Sequence, residues 1–387
     1  MVSHLLLAVA AWRFHVAPMQ CYTSPPLRFL FRQLNVHAVL WTEMEKPPDL
    51  LASDEAMARR LDPPGAPAVL QLGGDDGALL SLAASRASTR FPFEEINLNC
   101  GCPSIESGGA AYGASLMARP THTRELLEAM ALACPDVPLS VKCRLAAHAA
   151  VNPDGSLPDE RYEDLHSFVH EVSRSGAISH VVVHARAAIL SGLSSRSNRA
   201  VPTLRPQWVH QLAVDFPQLR VTLNGGIQSV DEVEALRRGG TRLDGVMAGR
   251  WLLRDPLALW DLRESCAEGR RGEGRRSVAD AIGTYDNYAW RQLQKKGGCS
   301  AAELALPLLL LSESMREAER EDDGEGAAAW DALWEAAERI VHHSTGERKG
   351  GPRTARQLSR LLARASGSKV SNKLRRNRSE DVGVSVS

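Results

Sequence analysis

A chain of 387 residues, 44% of them hydrophobic, can bury a sizeable core and is long enough for about two domains. Its 46 lysines and arginines are balanced by 46 aspartates and glutamates, so no global field draws in a polyanion and any such partner must be met by a local patch. The seven cysteines are scattered, with only Cys100 and Cys102 close together, which excludes zinc-finger spacing and a disulfide framework; free thiols, a reducing compartment and no bound metal are expected.

The apolar run Leu5 to Ala11 is too short to cross a membrane and has no basic stretch before it, so it reads as the lead-in to a first strand. That strand is predicted over Phe14 to Met19, followed by a helix over Pro25 to Leu34 with Leu27, Leu30, Phe31 and Leu34 at helical spacing. Ala38 to Trp41 gives a second strand and Glu55 to Leu61 its helix. Ala68 to Leu72 gives a third, ended by Gly73-Gly74, with a helix over Ala78 to Arg86. The fourth, EINLNCGCPS over Glu95 to Ser104, alternates Ile96 and Leu98 with Asn97 and Asn99 and stops at proline, which cannot continue a ladder. A helix over Arg124 to Ala133 follows, then a fifth strand over Leu139 to Arg144, a polar insertion from His148 to Glu160, and a helix over Tyr162 to Ser175. Val181 to Ala185 is the sixth strand and Val221 to Asn224 the seventh, with Val230 to Arg238 as its helix; Gly245 to Ala248 is the eighth.

Eight near-continuously apolar strands alternating with helices predict an α/β TIM (β/α)8 barrel over roughly Phe14 to Leu262. An open doubly wound sheet fails at the first turn, because Pro18-Met19-Gln20 carries no glycine fingerprint for a dinucleotide. Beyond Trp260 only helical patterns occur, over Val278 to Gln294, Ala301 to Ala318 and Ala328 to His342, with an acidic linker from Glu317 to Glu325. The predicted division is a catalytic barrel over 1–262, a small all-helical domain over 263–345, and a basic, partly disordered extension over 346–387. In that extension Arg353, Arg356, Arg360 and Arg364 line one helical face, a stripe suited to phosphate contact.

Cys102 falls at the C-terminal lip of a predicted strand, where barrels do chemistry, although a lone cysteine read by itself is as often a structural thiol. Asn224-Gly225-Gly226 after the seventh strand and Gly249-Arg250 after the eighth offer N–H groups and a guanidinium to one phosphate, as flavin mononucleotide requires. Lys142 and Arg144 share one face of the fifth strand, directed into the mouth. A buried lysine there needs an anionic partner, either a reduced flavin ring or an internal carboxylate such as Glu43 or Asp75.

The Asn-x-Asn-x-Gly-Cys-Pro signature, with the small-residue loop Ser107 to Met117, resembles that of the dihydrouridine synthases, flavin enzymes that reduce a uracil base in transfer RNA. The resemblance extends through Val16-Ala17-Pro18-Met19, Leu40 to Met44, Leu70 to Gly74, Val141-Lys142, Val183 to Arg186, Leu190 to Ser194, Asn198-Arg199 and Asn224 to Ile227, and points to the bacterial-type subgroup acting at D-loop positions 20 and 20a. It implies FMN contacts at Pro18, Met19, Gln71, Lys142, His184, Asn224, Gly225, Gly226, Gly249 and Arg250. It places Asn99, Arg144 and Arg186 beside a flipped uracil, makes Cys102 the proton donor, and makes NADPH the reductant. The implied partner is tRNA, the implied protein a monomer acting in the cytoplasm or an organelle. Departures occur at Gln20-Cys21-Tyr22, at Ile105-Glu106 and after Arg144. The competing functions are an FMN barrel reducing a free pyrimidine or another small alkene, and an RNA-binding barrel without redox activity.

Overall fold

The computed structural model describes residues 12–62, 65, 67–103, 112–266, 277–318 and 325–346. The apolar lead-in Leu5 to Ala11, the Ile105-Glu106 departure and the arginine stripe lie outside them.

Eight parallel strands close into a barrel: β1 (Arg13–Val16), β2 (Val39–Glu45), β3 (Ala68–Leu72), β4 (Glu95–Cys100), β5 (Leu139–Arg144), β7 (Ile178–His184), β9 (Arg220–Asn224) and β10 (Gly245–Ala248). The ring closes where Phe14 of β1 pairs with Val246 of β10. Two further strands of two residues each, β6 (Ala147–His148) and β8 (Ala188–Ile189), pair with one another above the barrel. The predicted TIM barrel is therefore the fold. The first strand is shorter than predicted, because Ala17 to Met19 already belong to the lip.

Local sequence explains the helices around it. Ser53 accepts from the Ala56 N–H at 3.0 Å and starts the helix Asp54–Leu61, and Asp76 does the same for Gly77–Arg90. Such caps stabilise a helix by about 1 kcal/mol each. A helix absent from the sequence reading, Pro206–Asp215, links β7 to β9, with Val209 and Leu212 turned into the core.

The floor of the barrel is polar. Glu95, at the start of β4, lies 3.0 Å from His180 Nδ1 and accepts from Arg220 at 2.7 Å, while His180 Nε2 meets the Thr222 hydroxyl at 2.8 Å. Beside them Trp41 Nε1 donates to His15 Nδ1 at 3.2 Å, and burial, followed by the neighbouring His180, holds the His15 imidazole neutral. A buried carboxylate is tolerated only when paired and hydrogen-bonded in this way.

The C-terminal helices Val278–Gln294, Ala301–Ala318 and Glu325–Gly346 continue the barrel's hydrophobic core. The first two pack on the helix Pro25–Leu34, where Phe29 stacks on Tyr288 with ring centroids 4.1 Å apart, and the third packs on both; the Tyr285 hydroxyl donates to the Leu304 carbonyl at 2.6 Å. An aromatic pair of this kind adds about 0.5–1.5 kcal/mol beyond its buried area.

Candidate active site

Asn99 makes the lip of β4. Its side-chain oxygen accepts from the N–H groups of both Gly101 and Cys102 at 3.0 Å, and its amide nitrogen donates to Gln71 on β3 at 2.8 Å. Gln71 in turn contacts Asn97, which reaches Ser140 on β5 at 2.7 Å. Three strands thus hold the turn from which the half-buried Cys102 projects. On its far side the Cys102 carbonyl accepts from the Ala114 N–H at 2.8 Å. A Cβ at Gly113 would sit 2.6 Å from that carbonyl oxygen, so only glycine permits the approach. The neighbouring thiols are placed differently. Cys100 and Cys143 are paired across β4 and β5, fully buried on the strands' other face, and burial pushes both thiols up, that of Cys143 to about 12.

Cations gather beside this lip, beginning on the neighbouring strand β5. Burial, and then the nearby Arg144, lower the Lys142 ammonium to about 8, and among the described residues no carboxylate lies within ion-pair distance of it. Neither partner the sequence offered is paired with it: Asp75 lies 3.8 Å from Arg119, and the Glu43 carboxyl, raised by burial, feels the charge of Arg28 first. Arg144 is buried, donating from Nε to the Gly101 carbonyl at 3.1 Å and from Nη1 to the carbonyls of Ala187 and Asn198 at 3.1 and 2.8 Å. Arg250 Nη2 donates to the Arg199 carbonyl at 3.4 Å, and the charges of Arg199, Arg254 and Arg186 all depress its guanidinium after burial has done so. Burial, reinforced by Arg144, Lys142, Arg186 and Arg250, keeps His184 neutral. Among the described residues no carboxylate pairs with Lys142, Arg144 or Arg250, a setting that favours an anion.

The backbone beside those cations is shaped to match. Gly225 has φ +100°, and a Cβ there would lie 2.7 Å from the His184 ring. Gly226 has φ +88°, and its Cβ would meet Leu204 at 2.8 Å. Gly249 closes the other edge, with a Cβ position 3.2 Å from Met19 Sδ, so the lips of β1 and β10 touch. Asn224 Nδ2 donates to the Met247 carbonyl at 2.9 Å and fixes the start of the glycine turn. Pro18, Met19, Gln71, Asn99, Lys142, Arg144, His184, Asn224, Gly225, Gly226, Gly249 and Arg250 all lie at the C-terminal ends of strands around one mouth. Arg186 is further out, its Nη1 held by the carbonyls of Ala200 and Pro202. Sequence pattern alone assigns no role to Arg199, Arg254 or Asn198, although Asn198-Arg199 belongs to the family motifs.

The family model for dihydrouridine synthase matches residues 15–301, from the first barrel strand into the helical segment. The chain belongs to the dihydrouridine synthase family. It is 37% identical over 335 residues to the tRNA-dihydrouridine(20/20a) synthase of Xanthomonas axonopodis pv. citri, covering 87% of this chain and 95% of that protein. It is 38% identical over 241 residues to the protein of that name from Synechocystis sp., covering 62% of this chain and 68% of the other. The oxidoreductase of this family that the motifs indicated is therefore the class to which the chain belongs. Among the described residues no helix is long and apolar enough to cross a membrane.

Proposed function

We propose that this dihydrouridine synthase reduces a D-loop uridine of tRNA, at position 20 or 20a, with flavin mononucleotide as cofactor and NADPH as reductant. The observation that carries the cofactor is the pairing of uncompensated cations, Lys142 and Arg250, with the side-chain-free turn at Gly225 and Gly226, which fits one phosphate and an electron-rich ring. Held by these residues, flavin mononucleotide would supply two-electron hydride chemistry for the uracil, with NADPH as the source of the electrons. Cys102 Sγ gives its proton to carbon 5, becomes a thiolate and is reprotonated from solvent. Arg144 donates to the Gly101 carbonyl at 3.1 Å, which puts a cation one residue from the thiolate left behind. Arg144 keeps Nη2 for the base, since Nε and Nη1 are occupied by carbonyls. Gly225, Gly226, Asn224 and Gly249 would hold the phosphate end, and Pro18, Met19 and Gln71 the ring. The uridine has to leave its stack to reach this mouth, as a base-modifying enzyme requires.

The test is direct. Purified protein should show a flavin spectrum and, when reduced anaerobically, should be reoxidised by unmodified tRNA with dihydrouridine formed at position 20 or 20a. A colourless protein that cannot be reconstituted with flavin mononucleotide sinks this reading. Reoxidation by free uracil but not by tRNA favours the small-molecule alternative.

Lys142 gives the reading a pH signature. Its ammonium is charged below about pH 8 in the empty site and is lost above it. An anion that binds the charged form best therefore takes up a proton at higher pH, and affinity falls by up to ~10-fold per pH unit there. Flavin titration of the apoprotein should show affinity dropping from pH 8 to pH 9, and Lys142→Met should bind weakly without that slope. A wild-type affinity flat across this range removes Lys142 from the cofactor site.

A further inference from the structure

Asn198 is fully buried in the loop that follows β8, and its side chain is saturated. The amide oxygen accepts from the Ile189 N–H at 2.7 Å. The amide nitrogen donates to the Ile189 carbonyl at 2.9 Å and to the carbonyls of Leu193 and Ser194 at 3.3 Å. Only a carboxamide offers an acceptor and two donors in this arrangement. The turn from Ile189 to Asn198 is wound around one side chain, and its first residue is anchored separately by the β6–β8 pair.

The backbone carbonyl of Asn198 then points out of the turn and accepts from Arg144 Nη1 at 2.8 Å. The same guanidinium holds the Ala187 carbonyl through Nη1 and, through Nε, the carbonyl of Gly101, the residue before Cys102. Arg144 is buried, so each of these bonds replaces lost hydration and none can be given up without cost. The contacts run unbroken from the loop after β8, through Asn198 and Arg144, to the peptide that carries the thiol.

We propose that Asn198 is a positioning residue for Cys102: it fixes the turn so that its own carbonyl meets Arg144, and Arg144 sets the placement of the Gly101-Cys102 step. The kinetic consequence rests on the tRNA reductase reading; the geometric one does not. The experiment uses full-length flavin-loaded protein, wild type against Asn198→Ala, with two readouts. The first is alkylation of Cys102 by iodoacetamide, read by peptide mass spectrometry against Cys21, which is exposed in the same protein. The second is the single-turnover rate of reduced enzyme at saturating tRNA.

The Cys102-to-Cys21 alkylation ratio should change by at least ~3-fold, and the saturated rate should fall ~10–100-fold, the scale of a displacement of about 1 Å at a reacting group. Flavin content should not change. An unaltered alkylation ratio overturns the proposal, and so does a loss confined to tRNA affinity with the saturated rate intact. Asn198→Asp keeps the acceptor and loses the donors, and it carries the same expectation if the alanine variant does not fold. Combining Asn198→Ala with Arg144→Lys should cost less than the sum of the two, because both act through one contact; additive losses refute the route through Arg144. If wild-type enzyme fails to reduce tRNA, the function reading falls and the alkylation ratio alone decides the positioning role.

Discussion

Cys102→Ala is expected to leave flavin binding and reduction by NADPH intact while slowing uridine reduction by ~10²–10⁴-fold, the range for a lost general acid. The lip itself should survive the change. Asn99 holds the turn through the backbone N–H groups of Gly101 and Cys102, and Gly113 packs on the Cys102 carbonyl, so the sulfur is not part of the scaffold. Cys102→Ser should be nearly as slow, because a hydroxyl is a far weaker acid than a thiol near neutral pH. Cys100→Val is the control. That side chain lies on the opposite face of β4 beside Cys143, in the hydrophobic core, where an apolar side chain replaces the thiol without losing a hydrogen bond. The measurement is single-turnover oxidation of pre-reduced enzyme by unmodified tRNA. A wild-type rate for Cys102→Ala with a dead Cys100→Val would move the proton donor two residues along; two unaffected variants would make the thiol structural.

Glu95→Ala is expected to destabilise the barrel by about 3–5 kcal/mol at neutral pH, the cost of breaking a buried ion pair by removing one partner. Burial alone would raise the Glu95 carboxyl, but His180, Arg220 and Ser140 hold it well below its ordinary range. Removal leaves His180 Nδ1 without its acceptor and takes a 2.7 Å bond from Arg220. The sign of the pH dependence follows from the depressed value. The contribution is complete above the unfolded carboxyl pKa, about 4.3, and is lost as pH falls below it toward the folded value. Urea unfolding at pH 7 should therefore separate wild type from variant widely, and the gap should begin to narrow by pH 3. A loss under about 1 kcal/mol at pH 7 would mean the floor of the barrel repacks around the vacancy.

The fold was readable because parallel barrel strands are short apolar runs with turn residues between them. AVLQL at Ala68 to Leu72 and VVVHA at Val181 to Ala185 need no partner to be recognised. The helix Pro206–Asp215 escaped because Pro202 and Pro206 bracket its approach and suggest loop, although Pro206 occupies the first turn where proline is tolerated. Two-residue strands such as β6 and β8 are too short to show any period. Of the site, the residues on the lips were legible from their motifs. Their dependence on one another was not. Arg144 and Asn198 are 54 residues apart, and no local pattern says that a carbonyl of one loop will meet a guanidinium from another strand. The floor network is a similar case. Glu95, His180 and Thr222 each interrupt an apolar strand, a signal that marks buried polar positions, but only closure of the barrel decides which of them face each other.

The cations left uncompensated around the mouth have an electrical counterpart. Formal charge over the whole chain is zero, so every positive charge unpaired at Lys142, Arg250 and their neighbours is matched by an acid somewhere else in the protein. A neutral body with its charges separated is a dipole, and in the field of a polyanion a dipole turns before it arrives. To the extent that the mouth carries the positive end, rotation of this kind favours encounters that present the mouth first. It operates within about one screening length, ~8 Å at physiological ionic strength. A protein with no net charge can thus still have an association rate with nucleic acid that falls as salt is added.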